Sequence, residues 1–453
     1  MKQNELMTSV SGIRGIVGQN LNPEIVLRFA YGFGKLCIRN HGAKPKILIG
    51  RDSRITGKML ENAAIAGLMG SGCDVISLGI LPTPSVGYNI KNSDAAGGIV
   101  ITASHNPIEW NALKFYSCDG TFILKDDIKF LIEKSSTNEW ENYNRIGNFR
   151  EDHEAYRNHI EGILSSDIID KGVIKQRGLR VVYDPGNGAG SKINKELLQK
   201  LGCEVIMINE EMNGIFSRNP EPVPENLSVL CKKVVENNAD IGFATDPDAD
   251  RLALIDEKGN AVGEEYSLVL SSMLFLKRMK SDIVTNLSSS RMLDDICSLN
   301  GVKLLRTPVG EANVVERMKR ENVLFGGEGN GGIIYRNINP TRDASIGIAL
   351  ILNLLAEKDI KLSSMIETIP KYYMKKTRFN AQAEIIKERI DELMEVFAGS
   401  TVNKEDGYRF DWPDKWIHIR PSNTEPIIRI IGEARKEENL DFLLITAKKI
   451  LEV

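Results

Sequence analysis

Four times along this 453-residue chain, a run of apolar and mostly β-branched residues breaks off into a short polar loop. The sharpest break is Ile99-Val-Ile-Thr-Ala-Ser-His-Asn-Pro107. Ile99 to Ile101 read as a buried strand, and Pro107 prevents a ladder or helix from simply continuing through it. The hydroxyl of Ser104 is thereby held at a strand's carboxyl end, where open α/β sheets place their ligands. Alone, the stretch reads as an ordinary turn. Ser104 and His105 are adjacent in the chain and are not expected to face each other as nucleophile and base do.

The neighbouring segments set the fold class. Lys46 to Asp52 reads as a strand, Gly57 to Gly70 as a helix and Asp74 to Gly79 as a strand, the signature of a parallel α/β unit. Arg14, in Ser11-Gly-Ile-Arg-Gly15, is expected on a loop ahead of the helical pattern Pro23 to Arg39, and Asn111 to Phe115 brings Lys114 back beside the serine. From Glu133 to Glu151 the chain turns polar and loses its period, and a second α/β unit follows. Its glycine-rich Pro185-Gly-Asn-Gly-Ala-Gly190 has neither a P-loop ending nor the dinucleotide spacing, and reads as a tight structural turn.

The second break is Asp246-Pro-Asp-Ala-Asp-Arg251, after the strand Ile241 to Thr245. Three carboxylates at every second position repel one another unless a cation sits among them. Ligands that are all oxygen favour a hard ion, Mg²⁺ first; the plainer alternative is a solvated acidic turn. Deleting the Asp248 carboxylate is expected to relieve repulsion and leave the fold largely intact. The third break, Gly326-Gly-Glu-Gly-Asn-Gly-Gly332, follows a strand at Val323 to Phe325 and offers Glu328 and Asn330 to sugar hydroxyls. The fourth, Arg420-Pro-Ser-Asn-Thr-Glu-Pro426, joins two late strands beyond a long charged helix expected over Ala381 to Phe397. With Arg420, Ser422, Asn423 and Thr424 it is either a phosphate cradle or a plain hairpin loop.

Composition narrows the classes. A chain of 453 residues exceeds one core and implies roughly three or four domains. A net charge of −3 gives no basic field for nucleic acid, and no run of about 18 apolar residues argues for a membrane span. Cys37, Cys73, Cys118, Cys203, Cys231 and Cys297 lack paired spacing and read as small buried residues in a reducing compartment. The amino-terminal Met-Lys-Gln-Asn-Glu has no signal-peptide core, so the cytoplasm is expected.

Taken in order, Thr102-Ala-Ser-His-Asn-Pro107, Asp246-Pro-Asp-Ala-Asp-Arg251, Gly327-Glu-Gly-Asn-Gly-Gly332 and Arg420-Pro-Ser-Asn-Thr-Glu-Pro426 resemble the four signature loops of the α-D-phosphohexomutases. The resemblance implies an α/β protein of four domains around a central cleft. Three would share one α/β topology (1–146, 147–250 and 251–366), and a C-terminal α+β domain (367–453) would be TATA-binding-protein-like. It implies Ser104 as phosphoserine, and Asp246, Asp248 and Asp250 holding Mg²⁺, which also touches the serine phosphate. His105, Arg251, Arg14 and Lys114 would lie at the transfer site, with Lys114 and Arg14 handling protons or stabilising charge. A lysine serves as acid or base only if its pKa is lowered, which clustered cations would do. Glu328 and Asn330 would read ring hydroxyls, and Arg420, Ser422, Asn423 and Thr424 would hold the phosphate not in transfer.

The implied cofactors are Mg²⁺ and a hexose 1,6-bisphosphate, the partner a small phosphosugar with no nucleic acid or membrane, and the assembly a monomer or homodimer. Many bacterial relatives carry Ser and His where this chain has Asn330 and Gly332. The Glu-x-Asn-Gly-Gly form resembles phosphoglucosamine mutases, with phosphomannomutase/phosphoglucomutase activity as the alternative. A catalytically silent sugar-phosphate sensor would not need Ser104 together with the aspartate loop.

Overall fold

Gly97–Ile101 is buried along its whole length, as an apolar run must be in a sheet covered on both faces. It lies parallel to Lys46–Arg51, which is parallel to Asp74–Ile80, and a hairpin returns the chain antiparallel as Trp110–Ser117. The computed structural model describes residues 6–9, 12–137, 139–422 and 427–452. Among these, Gly12–Ile16, Met7–Ser9 and Phe149–Glu151 complete a seven-stranded sheet.

The central plan of that sheet recurs twice. Arg180–Asp184 sits parallel between Glu204–Met207 and Ile241–Thr245, and Leu252–Asp256 returns antiparallel. Ile283–Asn286 sits likewise between Leu304–Thr307 and Phe325–Glu328, with Gly332–Tyr335 returning. In each sheet the same hairpin connection carries the chemistry: it holds Ser104 in the first, Asp246 to Arg251 in the second and the Glu328 loop in the third. The fourth unit is different, a five-stranded antiparallel sheet ordered Tyr373–Asn380, Ile427–Ala434, Lys415–Pro421, Tyr408–Asp411 and Thr401–Asn403.

One apolar core runs through the first three units, from Leu48 and Val100 through Val181 and Phe243 to Phe325. Inside it lies the helix Ala344–Lys358, buried from Ala344 to Ala356, since a helix apolar on every side must be interior. Asp343 caps it by accepting from the Ser345 and Ile346 amides. Phe410, Ile417, Ile430 and Leu443 form a separate core in the fourth unit.

Several expectations change. The boundary placed after residue 250 falls inside a hydrogen-bonded hairpin, so the second sheet runs on to Asp256. Phe149–Glu151 lies beyond residue 146 yet pairs with Asp74–Ile80. The charged helix expected over 381–397 is two short ones, Glu384–Glu388 and Ile390–Val396, separated at Arg389. Arg14 lies in the strand Gly12–Ile16 instead of a loop, opposite Ala112. Gly12, at the start of that strand, permits close strand approach: a Cβ there would come within 1.8 Å of the Leu113 carbonyl. Cys118 is exposed, while Cys37, Cys73 and Cys297 are buried. Among the described residues no helix is long and apolar enough to cross a membrane.

Candidate active site

Ser104 takes a left-handed φ of 49°, an uncommon conformation that a non-glycine residue keeps only when its surroundings impose it. Here they do. The Ser104 amide donates to Thr102 Oγ1 (2.9 Å), and that hydroxyl donates to Asp52 Oδ2 (2.6 Å). Arg54, 1% exposed, pairs with the same carboxylate at 3.0 Å and donates to the carbonyls of Ser104, Asn106, Pro107 and Trp110. Four contacts of the guanidinium thus hold the loop's carbonyls, and the fifth holds the Asp52 carboxylate.

The left-handed turn also overturns the expectation that Ser104 and His105 do not meet: Ser104 Oγ lies 3.2 Å from His105 Nδ1. Burial first, then Arg251 and Arg14, push the imidazole well below its ordinary pKa, so it is neutral. Ser104 Oγ donates to Asp246 Oδ2 at 2.7 Å. Arg14 reaches the same loop through Asn106 Oδ1 (2.6 Å).

Asp246, Asp248 and Asp250 are all fully buried. The Asp246 carboxylate accepts from the amides of Asp250 and Arg251. Burial, with Asp250 and Asp248 alongside, raises Asp246 well above the carboxylate range. Burial works the same way on Asp248, but Lys114 (2.7 Å) and Thr83 (2.7 Å) outweigh it and hold that acid low. Lys114 also lies 3.7 Å from Asp250. It differs from the expectation of a lysine lowered by cations: burial opposes its charge, but Asp248 and Asp250 raise its pKa. Arg251 pairs with Glu221 at 2.9 Å and approaches His105 Nε2 at 3.5 Å.

Glu328 sits at the end of its strand, 3% exposed, with its carboxylate accepting from Asn286 (2.8 Å), the Gly310 amide (3.0 Å) and Arg342 (2.9 Å). Asn330 is partly exposed and accepts from the Gly332 amide. Arg420, 6% exposed, donates to Asp406 Oδ2 (2.9 Å), which also accepts from the Val309 amide (3.0 Å). The Ser422 amide closes the hairpin onto the Ile427 carbonyl. Asn423 and Thr424 lie outside the described residues. Polar contacts therefore join all four hairpin regions, from Arg420 through Asp406 and the Val309-Gly310 turn to Glu328, Arg342, Asp250, Asp246 and Ser104.

The sequence matches phosphoglucomutase/phosphomannomutase α/β/α domains I, II and III over residues 6–142, 154–259 and 263–373, and the C-terminal domain over 375–443. A Thermococcus kodakarensis protein named phosphoglucomutase/phosphomannomutase is 37% identical over 447 residues, 97% of each chain. The chain belongs to the phosphoglucomutase/phosphomannomutase family. A probable phosphoglucosamine mutase of Methanosarcina barkeri is 36% identical over 450 residues, again 97% of each chain. The crystal structure of a family protein from Burkholderia thailandensis superposes with a TM-score of 0.87 at 25% identity, covering 98% of each chain.

In this phosphohexomutase the donor set fits a hard divalent ion. Ligand oxygens of Asp246, Asp248 and Asp250 lie within 4.8 Å of one another, and among the described residues buried Asp248 Oδ1 and Asp250 Oδ1 have no hydrogen-bond partner. These residues and the Ser104 oxygen would hold the ion, whose contribution when bound is neutralisation of phosphoryl charge.

The sequence reading missed Arg54, Arg342, Asp406 and His418. Arg54 had a local signal, an acid-base pair two residues apart in Arg51-Asp-Ser-Arg54 at a strand's carboxyl end. His418 sits between the units: Nδ1 meets Ser288 Oγ (2.9 Å) and Nε2 donates to the Asp406 carbonyl (2.6 Å). Burial pushes it down to about 4. Unfolded histidine titrates near 6.5, so the unfolded chain binds the extra proton between those values and stability falls as pH falls through that window, by at most ~1.4 kcal/mol per pH unit. Melting curves from pH 7 to 5 should show wild type losing more than His418→Gln. Parallel curves would remove His418 as the cause.

Proposed function

We propose that this phosphohexomutase interconverts glucosamine 6-phosphate and glucosamine 1-phosphate, using Mg²⁺ and a phosphorylated Ser104. The observation that carries the reading is Ser104 Oγ, 2.7 Å from Asp246 of the buried carboxylate trio and 3.2 Å from His105 Nδ1. Phosphoryl transfer depends mainly on positioning and charge neutralisation. The sugar hydroxyl attacks the phosphoserine and its proton passes by way of His105 to the departing Ser104 oxygen, giving a bisphosphate and a free serine. That bisphosphate turns end for end, and Ser104 Oγ attacks its other phosphate, the serine proton passing by way of His105 Nδ1 to the departing sugar oxygen, which restores the phosphoserine and releases the isomeric monophosphate. Lys114, held charged by its carboxylates, and Arg251 and Arg14 neutralise the moving group. Arg420 and its loop hold whichever phosphate is distal.

Glucosamine is favoured by the Glu328-Gly-Asn-Gly-Gly332 form, whose partly exposed Asn330 amide would face the sugar, and by the M. barkeri relative's name. The test incubates the enzyme separately with glucosamine, glucose and mannose 6-phosphates and follows interconversion by phosphorus NMR. Glucosamine 6-phosphate should show the highest kcat/KM, with measurable activity on the others. A preference above about tenfold for a neutral hexose, ~1.4 kcal/mol in transition-state discrimination, moves the assignment to phosphoglucomutase/phosphomannomutase.

A further inference from the structure

Arg342 precedes the cap of the interior helix and is 9% exposed. Its guanidinium meets three carboxylates from three separate segments: Asp250 at 2.6 Å, Glu328 at 2.9 Å and Glu311 at 3.3 Å. Glu311 also accepts from the Arg342 amide at 3.1 Å and from the Thr341 hydroxyl, so the arginine's backbone is fixed as well. Burial works against the guanidinium's charge, but Asp250, Glu311 and Glu328 outweigh it and keep it ionised.

Each contact selects an orientation. By taking Asp250 Oδ2, Arg342 leaves buried Oδ1, which lies 4.0 Å from Arg251 Nε and accepts no hydrogen bond among the described residues, available to the aspartate trio. By taking Glu328 Oε2, it completes a set in which Asn286 and Gly310 hold Oε1. The arginine stem meanwhile occupies the space above Gly332: a Cβ there would lie 2.3 Å from Arg342 Cδ and 2.9 Å from Cγ. Gly332 is not among the positive-φ glycines. Its lack of a side chain therefore answers to the arginine, not to its own backbone.

We infer that Arg342 is a positioning residue that locks the sugar-loop carboxylate Glu328 to the metal-loop carboxylate Asp250, and that Gly332 is small in order to admit it. The inference rests on the phosphohexomutase reading. A planar fork is required, because a lysine ammonium is a point donor that does not span both carboxylates in the same geometry.

The experiment has two arms. In the first, Mn²⁺ binding to wild type, Arg342→Lys and Arg342→Gln is read from the free-ion EPR signal, beside kcat and KM. Both variants should bind Mn²⁺ at least about tenfold more weakly, the range for an outer partner of a metal ligand, with kcat falling more than KM rises. In the second, Gly332→Ala should lower the melting temperature of wild type by ~2 °C or more and cost nothing further in an Arg342→Ser background. Unchanged Mn²⁺ binding and turnover in a folded Arg342→Lys or Arg342→Gln enzyme overturns the positioning role. An equal penalty for Gly332→Ala in both backgrounds overturns the packing claim. Metal binding and melting are read without turnover, so they stand or fall separately from the mutase reading, which Ser104→Ala tests.

Discussion

Ser104→Ala is expected to bind sugar phosphate as wild type does and to lose at least about a thousandfold in kcat, ~4 kcal/mol or more of transition-state stabilisation. The neighbouring hydroxyls among the described residues are buried and engaged, Thr83 Oγ1 with Asp248. Thr102 Oγ1 is buried and already engaged with Asp52 and the Ser104 amide. Arg54 holds the loop through backbone carbonyls, which an alanine retains. The left-handed φ of 49° costs alanine about what it costs serine, so the loop should persist and only the phosphoryl relay be lost. Intact-mass analysis should find one phosphate on part of the wild-type population and none on the variant. A fully active variant would refute the relay.

Chelation should abolish turnover, and Mg²⁺ should restore it. Three buried carboxylates, two of whose oxygens accept no hydrogen bond among the described residues, form a set of oxygen donors suited to a divalent cation beside Lys114 and Arg342. Full activity in excess EDTA would exclude the metal from the reaction. The structure changes what is expected of Asp248. From spacing alone, deleting its carboxylate relieves repulsion and spares the fold. In the folded chain it is the nearest counter-charge of buried Lys114, at 2.7 Å, and the acceptor for Thr83. Breaking a buried pair strands a charge at a cost on the order of a few kcal/mol. Asp248→Asn should therefore both weaken metal binding and lower the melting temperature; an unchanged or higher one would show that repulsion dominates.

The four loops were legible because their signal is local: an apolar run, then a break into residues that bear chemistry. The family's four-part architecture followed from their order. What each side chain touches was not legible. Glu328 was expected to face a sugar from a loop, yet it lies on a strand with three donors around its carboxylate. Arg342 and Asp406 draw their importance from partners roughly a hundred residues away, which no spacing rule reaches. The Ser104–His105 contact depends on one backbone angle. The broken helix in 381–397 shows tertiary packing overriding a charged, helix-favouring stretch, with Ile386 and Leu393 reaching one core from separate segments.

The apolar core that passes through the first three units also fixes how this chain gains and loses order. Units that share buried side chains cannot be separated without exposing part of that core, so their melting is expected to be coupled. The fourth unit keeps its own core and meets the third through polar groups, Glu433 with Ser290 and Arg291, and His418 with Ser288. Such a junction can open without spending apolar burial. Under the proposed mutase reading, Arg420 would thus ride on a unit seated by polar contacts while Ser104 and the aspartate trio sit on units that share one apolar core, an arrangement that would give a turning intermediate room without unmaking the transfer site.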